Sequence, residues 1–387
     1  MTLVNVGLRG YDRRNYGSHL MALAVQHRFA PATVAAPLRQ VLIRDQEAPP
    51  SSAVWLWSEI GGNPLLHRTS APAFTPTSRW AMTPHGPIGI GGVVDISGYI
   101  YGDPFGIRSV RRLGDWARRW AAMGMPLVLL PQSIGPFVRD QDQEEMRRAL
   151  SHVRLVVARD NHSEDTVREI GTSCEIQRAP DLAIESVRTI AAMSPGPDAH
   201  SSTRPYALVL PNRQVLRKLA VSEADYVRVL ERAASRCAAE GLDVLIAAHA
   251  QGSDDALCTA VSSKVRGARV LEVRSAEDMV RVVRDARLVI SSRYHGLVAA
   301  FSNGVPAISV GWASKYDDLL SEFEVSWMSA PIDAFGADPD GAASITGKVL
   351  DDLPGISKDL TARADVLQGR LDTMWERVHE IFSTEGS

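Results

Sequence analysis

The chain has 387 residues, 45% of them hydrophobic, and a formal net charge of −3 at pH 7. That length exceeds one ordinary core and fits two α/β domains, while the near-neutral charge makes no case for nucleic acid or for a strongly anionic membrane as partner. Three cysteines, Cys174, Cys237 and Cys258, form neither a metal-ligand spacing nor a disulfide framework, which fits reduced thiols and a cytoplasmic location. The first residues read as a short strand entering a polar turn, not as a basic start followed by the apolar run of a signal peptide. No run approaches the roughly 20 apolar residues of a membrane span.

In chain order, apolar β-branched runs alternate with amphipathic stretches, the pattern of mostly parallel sheets flanked by helices. Strands are predicted over 2–6, 87–91, 126–130, 154–158 and 174–177, and helices over 17–28, 107–123, 141–152 and 163–170. Residues 193–203 lose all periodicity and are rich in Pro, Gly and Ser, so they read as a linker. A second set follows, with strands over 206–210, 243–247, 269–272, 288–291 and 306–310 and helices over 222–240, 253–264, 276–284 and 294–303. Ser275 with Asp278 three residues on resembles a capping box. The division expected is a first Rossmann-like domain over 1–192, the linker, a second over 204–355, and a final helix within 356–387 that packs back on the first domain. Two such units would place the C-terminal ends of their strands around one cleft.

The stretch Ser291-Ser292-Arg293-Tyr294-His295-Gly296 puts a guanidinium and an imidazole where a buried strand ends and a helix begins. Helix N-termini offer unpaired N–H groups and a partial positive charge, so Arg293 and His295 there form an anion site with a proton donor. The plain alternative is a surface cation beside a helix-cap histidine. Arg213, after the strand over 206–210, reads as a second cation for a doubly anionic substrate or as a surface arginine. His249 ends the next strand and reads as a substrate contact or as a polar strand-end residue. Gly89-Ile90-Gly91-Gly92 suits a phosphate or close acceptor approach at Gly92, or only a tight turn. Residues 107–123 carry Arg108, Arg111, Arg112, Arg118 and Arg119 opposite Val110, Leu113, Trp116 and Trp120, either a solvated basic face or a peripheral membrane contact. The insert over 48–87 holds Trp55, Trp57 and Trp80, suited to sugar rings or to securing a loop.

Together, Ser-x-Arg-x-His-Gly at 291–296, the apolar helix, Gly304-Val305-Pro306 and Lys315 resemble the C-terminal signature of the polysaccharide pyruvyl transferase family. Four further blocks keep that family's order: Asn15-Tyr16-Gly17-Ser18, Pro131-Gln132-Ser133-Ile134-Gly135-Pro136, Ala158-Arg159-Asp160 with Ser163, and Ala179-Pro180-Asp181-Leu182. Ser18 departs from it, standing where an acidic residue is usual. The resemblance implies a GT-B-like pair of domains and transfer of pyruvate from phosphoenolpyruvate to two hydroxyls of a sugar or lipid-linked acceptor, with no cofactor and no metal. On that reading His295 is the acid–base residue with Asp181 as partner. Arg293, Arg213, Lys315 and His249 contact the donor side, and Gly17, Gly92, Gln132 and Ser133 the acceptor. A nucleotide-sugar glycosyltransferase or a non-catalytic sugar-binding protein of the same fold are the alternatives.

Overall fold

A computed structural model describes residues 3–11, 15–30, 32, 34–38, 54–57, 73–74, 79–83, 86–193, 204–219, 221–249, 252–311, 313–330, 332–333 and 336–383. The chain divides into two compact units, Met1–Leu182 with Gly369–Ser387, and Ala183–Gln368.

Unit 1 runs β1 (Val6–Arg9), α1 (Tyr16–Phe29), β2 (Val34–Leu38), β3 (Val54–Trp57), β4 (Ala73–Phe74), β5 (Trp80–Thr83), β6 (Gly86–Gly89), β7 (Gly92–Asp95), α2 (Ile107–Ala122), β8 (Leu127–Gln132), α3 (Asp140–Leu150), β9 (Leu155–Ala158), α4 (Asn161–Ile170) and β10 (Glu175–Arg178). Seven strands pair in parallel in the order β10-β9-β8-β7-β1-β2-β3, and β4, β5 and β6 form a small antiparallel sheet. Buried runs such as Leu127–Leu130 and Leu155–Ala158 explain the doubly covered sheet. Helix α2 buries Val110, Leu113, Ala117 and Trp120 in the same core as Met146 and Leu150 of α3.

The strand expected over 87–91 overlaps β6 of the small antiparallel sheet, and the strand of the parallel sheet is β7, which starts just beyond it. Gly92 starts β7, opposite Val6 of β1, and so lies at the N-terminal edge of the sheet. A Cβ on Gly92 would sit 2.4 Å from the Phe382 ring and 2.8 Å from the Pro126 carbonyl, and one on Gly91 would sit 2.5 Å from Val4. These glycines serve packing, and the phosphate-loop reading of Gly92 is corrected on that ground. Trp55 and Trp57 fall on β3 and Trp80 on β5, while most of the insert over 48–87 lies outside the described residues.

Unit 2 runs α5 (Ala183–Met193), β11 (Tyr206–Leu210), α6 (Gln214–Lys218), α7 (Glu223–Ala239), β12 (Asp243–Ala247), α8 (Asp255–Ser262), β13 (Arg269–Leu271), α9 (Ala276–Arg284), β14 (Leu288–Ser291), α10 (Tyr294–Ser302), β15 (Ala307–Ser309), α11 (Ser314–Glu322), α12 (Pro339–Asp351) and the first turns of α13 (Leu353–Ile381). Its sheet is parallel, in the order β13-β12-β11-β14-β15. The unit boundary falls at Leu182, not near 193, because α5 packs on α9 and α10. Residues 194–203 of the expected linker lie outside the described residues.

Helix α13 begins earlier than expected, and its residues divide between the units. Ser357 donates to the Gly304 carbonyl at 2.6 Å in unit 2. From Gly369 on, α13 packs in unit 1, where Phe29 meets Trp375 and Phe382 edge to face at 6.2 and 5.5 Å. Arg377 pairs there with Glu175 at 2.7 Å. Among the described residues, no helix is long and apolar enough to cross a membrane.

Candidate functional site

In unit 2 the strand order reverses between β11 and β14, and ligands of doubly wound sheets bind beyond the strand C-termini at such a point. The five residues predicted for this half all follow strands at that edge: Arg213 after β11, His249 after β12, Arg293 and His295 after β14, and Lys315 after β15. Arg293 is the N-cap residue of α10. Its amide donates to Ser291 Oγ at 3.0 Å, and Ser291 Oγ donates in turn to the Arg293 carbonyl at 2.9 Å. Gly296 lets α10 start this close to the sheet, since a Cβ there would sit 2.7 Å from both Leu210 and Ser291 Oγ.

The Arg293 guanidinium is fixed by two partners. Nη2 bonds the carboxylate of Asp254, which is fully buried, and Nε donates to the Pro211 carbonyl at 3.4 Å. Asp254 also accepts the Arg213 amide at 3.1 Å, so one carboxylate joins the loops after β11, β12 and β14. Asp254 carried no predicted role. Nη1 of Arg293 has no protein hydrogen bond among the described residues, which leaves half of the planar fork for an anion.

The same edge is braced from beneath. Asn212 Nδ2 and the Tyr316 hydroxyl both donate to the Ser292 carbonyl, at 2.9 and 2.7 Å, and the buried Tyr226 hydroxyl accepts the Asn212 amide at 2.8 Å. Lys315 Nζ lies 5.3 Å from the Tyr294 ring centre and 5.6 Å from that of Tyr316, within cation–π range. His295 is half-buried, with Nε2 shielded from solvent and its ring edge-on to Tyr294. Arg213 is exposed.

His249 is buried, and its pKa is lowered well below 6.5, first by desolvation and then by the charges of Arg293 and His295. It is therefore neutral in the native state at pH 7. An unfolded histidine takes a proton near pH 6.5, so stability is present above that pH and is lost as the pH falls below it. Between pH 7 and 5, urea unfolding of the His249→Asn variant should show a shallower fall in stability than the wild type. Equal slopes would mean that His249 protonates freely when folded.

In unit 1, Gly17, Ser133 and Asp181 also follow strands at the C-terminal edge, and Gln132 is the last residue of β8. Asn15 caps α1 by accepting the Gly17 amide at 3.0 Å, and the Asn-x-Gly block is thus a helix start. Ser18 is buried and reaches the Gly10 carbonyl at 3.4 Å. The other blocks meet in one buried network. Arg159 donates to Ser133 Oγ at 2.6 Å and pairs with Asp181 at 2.8 Å, and Ser133 donates to Asp160 at 2.7 Å. Asp160 caps α4 through the Ser163 amide at 2.7 Å, and Ser163 Oγ accepts the Ile134 amide at 2.9 Å. Gln132 Nε2 donates to the Asp95 carbonyl at 2.9 Å. Asp181 is 1% exposed and engaged with Arg159, so it holds the network together. Beside this network, Arg9, Asp95 and the Tyr101 hydroxyl form a second buried cluster at the switch between β1 and β7, which sequence reasoning missed because Arg9 stands 86 residues from Asp95 and meets it only once β1 and β7 pair.

The family model for polysaccharide pyruvyl transferase matches residues 15–314, from the α1 cap to the start of α11. The chain belongs to this family. A pyruvyl transferase role follows at that level, and the matched span holds Arg213, His249, Asp254, Arg293, His295 and the Arg159 network, while Arg9, Lys315 and Tyr316 lie outside it. Comparison with curated proteins finds no match. Among solved structures, a putative UDP-N-acetylglucosamine 2-epimerase from Listeria monocytogenes is similar at 11% identity and TM-score 0.53, covering 97% of this chain and 98% of its own. Arabidopsis thaliana UGT89C1, complexed with UDP-L-rhamnose, is similar at 9% identity and TM-score 0.54, covering 97% and 99%. At such identities the likeness shows the fold alone, the GT-B-like class of two parallel-sheet α/β domains. Among the described residues no group of three or more His, Cys, Asp or Glu is placed to hold a metal ion. Burial pushes the Cys237 and Cys258 thiols up to about 12, so neither is a ready nucleophile.

Proposed function

We propose that this pyruvyl transferase takes phosphoenolpyruvate as donor and forms a cyclic pyruvate ketal on two hydroxyls of one sugar, in a cell-surface glycan or its lipid-linked precursor on the cytoplasmic side. The observation that carries the proposal is the gathering of Arg293, His295, Arg213 and Lys315 at the switch point of unit 2, around the N-terminus of α10. The donor carries a phosphate and a carboxylate, and this edge supplies cations from three loops together with a helix N-terminus. Arg293, fixed by Asp254, offers its remaining N–H groups to one anion.

The reaction adds a proton to the donor's methylene carbon as positive charge grows on C2. One sugar hydroxyl bonds to C2, the C2–O bond to phosphate breaks, and the second hydroxyl closes the ring. Of the two hydroxyl protons, one balances the new methyl hydrogen and one leaves with phosphate. An imidazole moves protons in either direction near neutrality, so His295 is assigned the acid–base role. Neutral His249 beside it adds no competing charge, and Lys315 balances the departing phosphate. Incubation with phosphoenolpyruvate and a panel of cell-envelope sugars should release phosphate and yield a product heavier than the acceptor by one pyruvate less water. Turnover of a sugar nucleotide without phosphate release from phosphoenolpyruvate would favour glycosyl transfer instead.

A further inference from the structure

Two loops at the C-terminal edge of unit 1 present apolar side chains to solvent. Gly102 to Gly106 leads into α2, and Gly135 to Arg139 leads into α3. Phe105 is 47% and Val138 82% exposed, and Pro104 and Pro136 are exposed beside them. The loops are tied to each other: the Val138 amide donates to Asp103 at 2.7 Å, and the Asp103 amide to the Pro136 carbonyl at 3.0 Å. Gly102 lies so close to Gly135 that a Cβ would sit 2.3 Å from its carbonyl oxygen. Phe105 is held edge-on to Tyr99 at 5.1 Å. Single exposed apolar residues need no explanation, but four on two mutually braced loops form a preset apolar tip.

The surroundings of that tip are basic. Arg108, Arg111 and Arg112 project from the first two turns of α2 and are exposed, as is Arg139. Asp142, which pairs with Arg139, is buried; Glu145, paired with Arg111 at 3.2 Å, Asp103 and the exposed Asp140 oppose part of this charge and leave Arg108, Arg112 and Arg139 to dominate the surface. We propose that the tip and its arginines form a docking surface for an anionic lipid bilayer, with Phe105 and Val138 entering the interface and the arginines meeting lipid phosphates. Apolar residues flanked by arginines are the composition of interfacial anchors. The local charge carries this contact even though the whole chain has a net charge of −3. A sugar-stacking platform would use the Phe105 ring but would give Val138 and the arginine row no part.

The test is co-sedimentation of the full chain with vesicles of phosphatidylcholine alone or mixed with phosphatidylglycerol. Binding should require phosphatidylglycerol and weaken with salt. It should fall about tenfold or more in the double variant Phe105→Ser/Val138→Ser and in Arg108→Ala/Arg112→Ala, while both variants keep a cooperative thermal unfolding transition that shows them folded. No sedimentation with anionic vesicles, or equal sedimentation by wild type and both variants, would overturn the proposal. So would a Phe105→Ser/Val138→Ser variant that binds vesicles normally but shows a raised KM for a soluble sugar acceptor. The sedimentation readout involves no turnover and stands or falls independently of the donor assignment.

Discussion

Replacing His295 with glutamine is expected to lower kcat by roughly 10²–10⁴ while leaving donor affinity comparatively intact. The lost interaction belongs to the transition state, where a proton must reach the methylene carbon, and glutamine keeps polarity without a transferable proton. His295 sits in the first turn of α10 on a half-buried face, so the substitution should fold. Calorimetric titration of phosphoenolpyruvate beside steady-state kinetics separates the two effects. A variant with full kcat and weak donor binding would reassign His295 to binding.

The second large effect is expected at Arg293. Arg293→Lys should lose about 2 kcal/mol or more of donor affinity, about thirtyfold in Kd, because an ammonium cannot reproduce the planar fork. The structure also explains why lysine is the informative choice. Arg293 is the ion-pair partner of fully buried Asp254, and an alanine there would take the guanidinium from that carboxylate, a loss of about 3–5 kcal/mol of stability that would confuse any binding measurement. Lysine retains a charge for Asp254. Equal donor affinity in wild type and Arg293→Lys would remove Arg293 from the donor site.

What was legible in the sequence follows from how local each signal is. Strand β11 and helix α9 match their predicted spans because an apolar run bounded by Pro residues and a Ser275 cap are complete within a few residues. Helix α5 was missed because it is buried nearly all round, with Ala183, Ile184, Glu185, Ser186 and Val187 all enclosed, so no polar stripe marks its period. The strand expected over 87–91 ended before β7, and only pairing with β5 and with β1 shows that β6 and β7 belong to two sheets.

The site shows the same division. Arg293 and His295 could be picked out because a strand end, a helix start and a glycine lie within six residues. That Asp254 fixes Arg293 could not be read, since the two stand 39 residues apart and meet only once β12 and β14 flank β11. Asp181 was expected to partner His295 from its place in a family block. The structure shows what joins that block to the others, namely Arg159 between Asp181 and Ser133. Gly92 was misread because a glycine run suits close packing as well as phosphate binding, and only the position of Phe382 distinguishes them.

The central claim is that pyruvate is transferred through protonation of the donor's methylene carbon, and the most direct measurement is turnover in deuterated water. The donor's enol phosphate carries two hydrogens on that carbon and the ketal methyl three, so the product should contain at least one deuterium in its methyl group, read by mass and proton NMR, with phosphate released in equal amount. Glycosyl transfer makes no such bond. A product whose methyl group carries no deuterium, or turnover of a sugar nucleotide with phosphoenolpyruvate untouched, would contradict the account.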